Sequence, residues 1–148
     1  MTNFIDINYQ TSGESVKTNQ YGMRDMPSRV FDCRNSQYLL IKAPPASGKS
    51  RALMFLGLDK LYNQGISKVI VAVPEKSIGK SFSKTQLKKF GFFSDWDYDN
   101  KYNLCSPGTD QSKVLSLFNF FNEHSQKICI CTHATLRFFF DKHGEKYF

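Results

Sequence analysis

Long apolar runs are what this sequence most plainly lacks: no stretch of its 148 residues approaches the length that spans a bilayer, so no membrane segment is expected. The opening residues, Met1 to Gln10, have no basic flank followed by an apolar stretch. A secretory signal is therefore not expected, and cytoplasm is the expected location. Cysteine is sparse, with only Cys33, Cys105, Cys129 and Cys131. Of these, Cys129 and Cys131 alone are close, and on an apparent strand they are expected to point to opposite faces. With no second Cys or His pair at finger-like spacing, buried thiols are a better reading than zinc ligands. The three histidines suggest no metal site and no Ser-His-Asp arrangement. Internal repeats and low-complexity blocks are missing too. Acidic residues are outnumbered, 13 Asp and Glu against 20 Lys and Arg, giving a net charge of +7. That excess favours a polyanionic partner without naming one.

What is present suits one compact domain. Hydrophobic residues make up 41% and charged residues 22%, too apolar for wholesale disorder. Residues 1–20 are rich in Thr, Ser, Asn and Gln and predict an irregular arm, with Phe4, Ile5 and Ile7 able to pin part of it. Pro27 can open a short helix with Val30 and Phe31 facing inward. Tyr38-Leu39-Leu40-Ile41 is a short continuous apolar run, the mark of a strand buried on both faces. A Pro- and Gly-containing turn follows, then an apolar helix over Arg51 to Tyr62, stopped near Gly65. Lys68 to Val73 predicts a second buried strand, closed by Pro74. A Lys-rich helix is expected from about Glu75 to Phe90. An aromatic connection with a short strand at Tyr102 to Cys105 leads to a helix over Val114 to Phe121, capped by Thr109 or Asp110. A third strand, Lys127 to Cys131, runs into a helix containing Leu136 and Phe138 to Phe140. Strands that are apolar throughout, alternating with helices, predict an α/β fold: a parallel sheet with helices on both faces. Ligands of such sheets bind beyond the carboxyl ends of the strands.

The turn at Ala43-Pro44-Pro45-Ala46-Ser47-Gly48-Lys49-Ser50 fits the P-loop pattern of a small residue, four others and Gly-Lys-Ser. Backbone N–H groups must curl around phosphate oxygens, which needs small residues and a glycine where the chain bends tightly. The next helix, opening with Arg51, aims its positive end at the same anion. Lys49 would reach the β- and γ-phosphates of ATP as the catalytic cation, and the Ser50 hydroxyl would hold Mg²⁺.

The motif and its neighbours carry a resemblance. Ala43-x-x-Ala46-x-Gly48-Lys49-Ser50 resembles motif I of superfamily 2 helicases. Val71 to Ser77 resembles their motif Ia, and Ile128 to Leu136 resembles the later strand ending in Thr-x-x-x-Leu. The order and separations are similar to those of the first RecA-like domain of DEAD/DEAH-type helicases, including the translocating, type III Res-like subunits of restriction systems. The resemblance implies a P-loop NTPase (RecA-like) fold over residues 21–148, ATP and Mg²⁺ as cofactors, and DNA in preference to RNA as partner. It implies nucleic-acid contacts at Pro74, Glu75, Lys76, Ser77, Thr132, His133 and Thr135, and the spacing of the lysines adds Lys80. Ala46 stands where a glycine is usual. The adenine-reading glutamine of the family has Gln20 as a candidate, with Pro27 and Ser28 at its expected place. The family also needs an Asp-Glu pair after the next strand and arginines from a second RecA-like domain. Past Thr132 the only acids are Asp141 and Glu145. An incomplete domain is expected, truncated before that pair, which binds nucleotide but turns it over poorly without the remainder of its polypeptide.

Other signals have two readings. Lys76, Lys80, Lys84 and Lys88 recur every four residues and would stripe one helix face. That stripe is either a phosphate-backbone track or a solvated surface. Phe90, Phe92, Phe93, Trp96, Tyr98 and Tyr102 could stack bases, but a packed core is the favoured reading. A small-molecule P-loop kinase would require lid arginines, and residues 94–110 supply none. A non-catalytic nucleic-acid-binding module with a vestigial loop is the remaining alternative.

Overall fold

The computed structural model describes residues 19–107 and 110–147, with the side chains of residues 110 and 111 excepted. The readings on Phe4, Ile5, Ile7 and Thr109 lie outside the described residues. Among the described residues five α-helices and two strands follow in order: α1 (Asp25–Asp32), α2 (Lys49–Asn63), β1 (Val69–Val73), α3 (Lys76–Gly79), α4 (Asp110–Asn122), β2 (Ile128–Thr132) and α5 (His133–Tyr147). The two strands pair in parallel, Val69 opposite Ile128 and Val73 opposite Thr132. The far edge of β2 takes a single bridge from Asn103, where the Leu104 N–H donates to the Ile130 carbonyl at 2.7 Å. The short strand expected at Tyr102 to Cys105 is thus reduced to one rung. No described helix is long and apolar enough to cross a membrane.

The alternation of β2 builds the two halves of the core. Ile128 and Ile130 face α2, where they join Phe31, Phe55, Leu58, Phe92 and Trp96. Cys129 and Cys131 face the other way, into Tyr102, Leu117, Phe120 and Phe139 of the α4–α5 side. The expectation that the two thiols point apart is therefore wrong. Residues two apart on a strand share a face. Both thiols are buried, and burial pushes that of Cys131 up to about 12. The α/β layering, helices on both faces of a small parallel sheet, is as the apolar runs imply.

Among the described residues one expected element is absent and another is cut short. Tyr38 and Leu40 are 86% and 94% exposed, and residues 38–41 form no strand. An extended segment needs a paired edge to satisfy its N–H and C=O groups, and among the described residues none pairs with it. The Lys-rich helix ends at Gly79 instead of running to Phe90. A Cβ on Gly79 would lie 2.5 Å from the Cys105 Sγ, so this turn is set by close packing. Beyond it, a 3₁₀ turn at Lys80–Phe82 leads to Thr85, which exchanges backbone bonds of 2.9 and 3.0 Å with Trp96. The four-residue lysine stripe is therefore broken. Lys84 turns aside to pair with Asp97 at 3.3 Å.

The aromatic connection is core in the main. Trp96 is fully buried with its indole N–H donating to the Phe82 carbonyl at 3.0 Å, and Phe92, Tyr98 and Tyr102 are buried with it. Phe90 and Phe93 are exposed at its margin.

Candidate functional site

Residues 43–50 turn into α2 through two left-handed residues, Ala46 (φ 59°) and Gly48 (φ 91°). Glycine adopts that conformation freely, whereas alanine brings its Cβ against the following carbonyl. The first helical bond, Ala52 N–H to the Gly48 carbonyl at 2.9 Å, leaves the N–H groups ahead of it without intrahelical partners. These groups and the positive end of the helix dipole form a cradle suited to an anion.

Lys49 folds back over this cradle. Its ammonium donates to the carbonyls of Ala43 at 2.7 Å and Pro44 at 2.6 Å. A phosphate oxygen would compete for that ammonium with two neutral acceptors, and its negative charge makes it the stronger acceptor. The Ser47 hydroxyl is buried in the loop with no hydrogen-bond partner. An unpaired buried hydroxyl is costly, and a ligand oxygen would satisfy it. The residues present thus fit a nucleotide phosphate, and Ser50, at the second helical position, supplies a hydroxyl of the kind that holds Mg²⁺ there.

Two cavities flank the loop. One, of about 500 Å³, is lined by Ala46, Gly48, Lys49, Ser50, Arg51 and Met54 on the loop side. Its opposite wall is Lys80, Ser81, Ser83 and Thr85, from the segment after β1. The loop therefore opens on the carboxyl side of the sheet. The second cavity, of about 420 Å³, shares Gly48 and Arg51 and is otherwise walled by Gly22, Met23, Arg24, Pro27, Phe55 and Phe90. Pro27 lines it, and Gln20 does not.

The other predicted residues gather at the ends of β1 and β2. Pro74, Glu75, Lys76 and Ser77 follow β1 and are exposed. His133, beside them, is exposed and its Nε2 lies 3.2 Å from the Ala72 carbonyl. Thr132 and Thr135 are buried. The Thr135 N–H donates to the Thr132 hydroxyl at 3.2 Å, and the two hydroxyls lie 3.1 Å apart. This pair caps α5, a structural duty that occupies both side chains.

Over its whole length the chain is similar to a much longer protein. The relative is a protein of Bacillus subtilis (strain 168) named "Putative ATP-dependent helicase YeeB", 61% identical over 148 residues. All of this chain is matched, yet it spans only 24% of that relative's length. No family model matches the chain. No solved structure matches it.

Sequence reasoning did not bring Ser81, Ser83 and Thr85 to the loop, and it grouped Lys80 with the lysine stripe. The signal was there in part: a Lys-Ser-x-Ser-x-Thr segment just past a strand end. What hid it was the assumption of one helix through Gly79, which would have turned these side chains around a cylinder.

Proposed function

We propose that this chain is the ATP-binding portion of a nucleic-acid helicase or translocase with a RecA-like first domain. The observation that carries the reading is the loop itself: a left-handed turn into a helix N-terminus, with Lys49 folded over it and the Ser47 hydroxyl unpaired. Its position beside a parallel sheet, and the name of the relative that matches the whole chain, support it. Ala43 to Arg51 would bind the phosphates, and Ser50 would ligate Mg²⁺. When bound, Mg²⁺ would neutralise phosphate charge.

Pro74 to Ser77 and His133 would face nucleic acid beyond the strand ends, with DNA the proposed partner. Turnover of ATP needs a carboxylate pair to hold the metal and orient water. Among the described residues, α5 carries only Asp141 and Glu145, more than a helical turn past the end of β2. In a protein as long as the relative, the acids and a second domain would come from other parts of the polypeptide. Restriction-system translocases share this arrangement and fall within the proposal.

The test is titration of a fluorescent ATP analogue with Mg²⁺ against the chain and its Lys49→Ala variant. Binding by the parent and a loss of at least about tenfold in the variant is expected for removal of a charge-assisted phosphate contact. Equal binding by both, or none by either, would sink the nucleotide reading.

A further inference from the structure

We infer that Lys80, with Ser81 and Ser83, forms the second wall of the triphosphate site and contacts the terminal phosphate. This rests on the reading that the loop binds nucleotide. It moves Lys80 from the nucleic-acid face, where its spacing had suggested it, to the nucleotide.

The cavity beside the loop has two sides, and both are cationic or hydroxylic. Lys49, Ser50 and Arg51 stand on one, Lys80, Ser81, Ser83 and Thr85 on the other, and no carboxylate lines it. Anions of high charge density are what such a lining admits. The loop accounts for the phosphates nearest the helix. A chain of three phosphates extends past it, into the gap that Lys80 faces.

The far wall is also rigidly placed. Gly79 is packed against Cys105, Phe82 is buried in the core, and the Phe82 carbonyl accepts from the Trp96 indole at 3.0 Å. Thr85 is held by two backbone bonds to Trp96, and its hydroxyl donates to the Ser83 carbonyl at 2.8 Å. Within this fixed segment the charged side chains divide. Lys84 is committed to Asp97 at 3.3 Å. Lys80 has no acidic partner among the described residues and is exposed at the cavity. A preset wall carrying an uncommitted cation is what a ligand phosphate needs, because little ordering remains to be done on binding.

The experiment compares fluorescent ATP and ADP analogues, each with Mg²⁺, on the parent chain and the Lys80→Gln, Lys84→Gln and Lys49→Ala variants. Lys80 and Lys84 are both exposed, so neither substitution disturbs the core, and Lys84→Gln controls for loss of one charge. The expected result is ATP binding weakened on the order of five- to tenfold by Lys80→Gln, with ADP affinity within about twofold, as one charged hydrogen bond to the terminal phosphate requires. Lys84→Gln should leave both unchanged. Parent-like ATP binding by Lys80→Gln, alongside its loss in Lys49→Ala, overturns the inference and leaves the nucleotide reading standing. A matched loss of single-stranded DNA binding with ATP affinity intact overturns it in favour of the nucleic-acid face. Equal weakening of ATP and ADP also overturns it. Failure of the parent to bind either nucleotide overturns the reading beneath it.

Discussion

The two flanks of the phosphate loop differ more than their sequences do. Both are apolar. Before the loop, Tyr38 and Leu40 stand in solvent; after it, Ala52, Met54, Phe55, Leu56 and Leu58 are buried along α2. A helix satisfies its backbone bonds within itself, so its side chains need only a surface to pack on. A strand must borrow its bonds from a neighbour, and hydrophobicity alone does not provide one. Apolar character therefore announces burial reliably for the helix and only conditionally for the strand. The loop hangs between a fixed support and an unpaired one.

That contrast can be broken by substitution on each side. Phe55 sits with its ring centroid 4.7 Å from that of Phe92 in the α2 core. Phe55→Ala should cost about 3–5 kcal/mol in urea denaturation, the usual range for emptying a buried aromatic site. Leu40→Ser should change stability by less than about 0.5 kcal/mol in this chain, as for other exposed positions. A Leu40 effect comparable to that of Phe55 would show that the run is paired in solution. In a polypeptide of the relative's length, a larger Leu40 effect than in this chain would mean that added chain covers the run.

How far the sequence could be read follows the same divide. The limits of α2, β1, α4 and β2, and the presence of α5, were legible because continuous apolar runs and caps are local. The loop was legible because its chemistry is compact: small residues, a glycine, a lysine and a serine within eight positions. The end of α3 was not legible. Gly79 stops there because Cys105, far along the chain, occupies the space a side chain would need. For that reason the place of Lys80 beside the loop was not legible either. The duties of Thr132 and Thr135 were hidden in another way, since a capping threonine and a ligand-binding one look alike until their hydroxyls are seen to meet.

A subtler probe acts on the loop itself. Ala46 holds φ at 59°, where the resembling family has glycine. The left-handed conformation costs a non-glycine residue roughly 1–2 kcal/mol, and a glycine gives back about 0.4–1 kcal/mol through the freedom of the unfolded chain. Ala46→Gly should then stabilise the chain by about 0.5 kcal/mol in urea denaturation. A clear loss of stability would mean that the loop in solution does not turn at Ala46, and the fixed support would extend less far than α2 suggests.

The smallest effect lies beside β2, where the 3₁₀ turn Asn100–Tyr102 meets the end of α4. The Tyr102 hydroxyl donates to Glu123, and Lys101 reaches the same carboxylate at 3.2 Å. The bond from Tyr102, then that from Lys101, holds the Glu123 carboxyl below its usual range. Burial, then the bond to Glu123, pushes the Tyr102 phenol up. The signs differ. A depressed carboxyl contributes stability above its unfolded value of about 4.3 and loses it as pH falls through the folded value. A raised phenol contributes below its unfolded value of about 10 and loses it as pH rises towards the folded value. One substitution, Tyr102→Phe, should therefore flatten both limbs of a plot of urea midpoint against pH. By NMR titration of the side-chain carboxyl, Glu123 should move up towards about 4.3. If the acid limb keeps its slope in the variant, Lys101 alone sets the carboxyl, and the phenol is held by burial without the carboxylate's help.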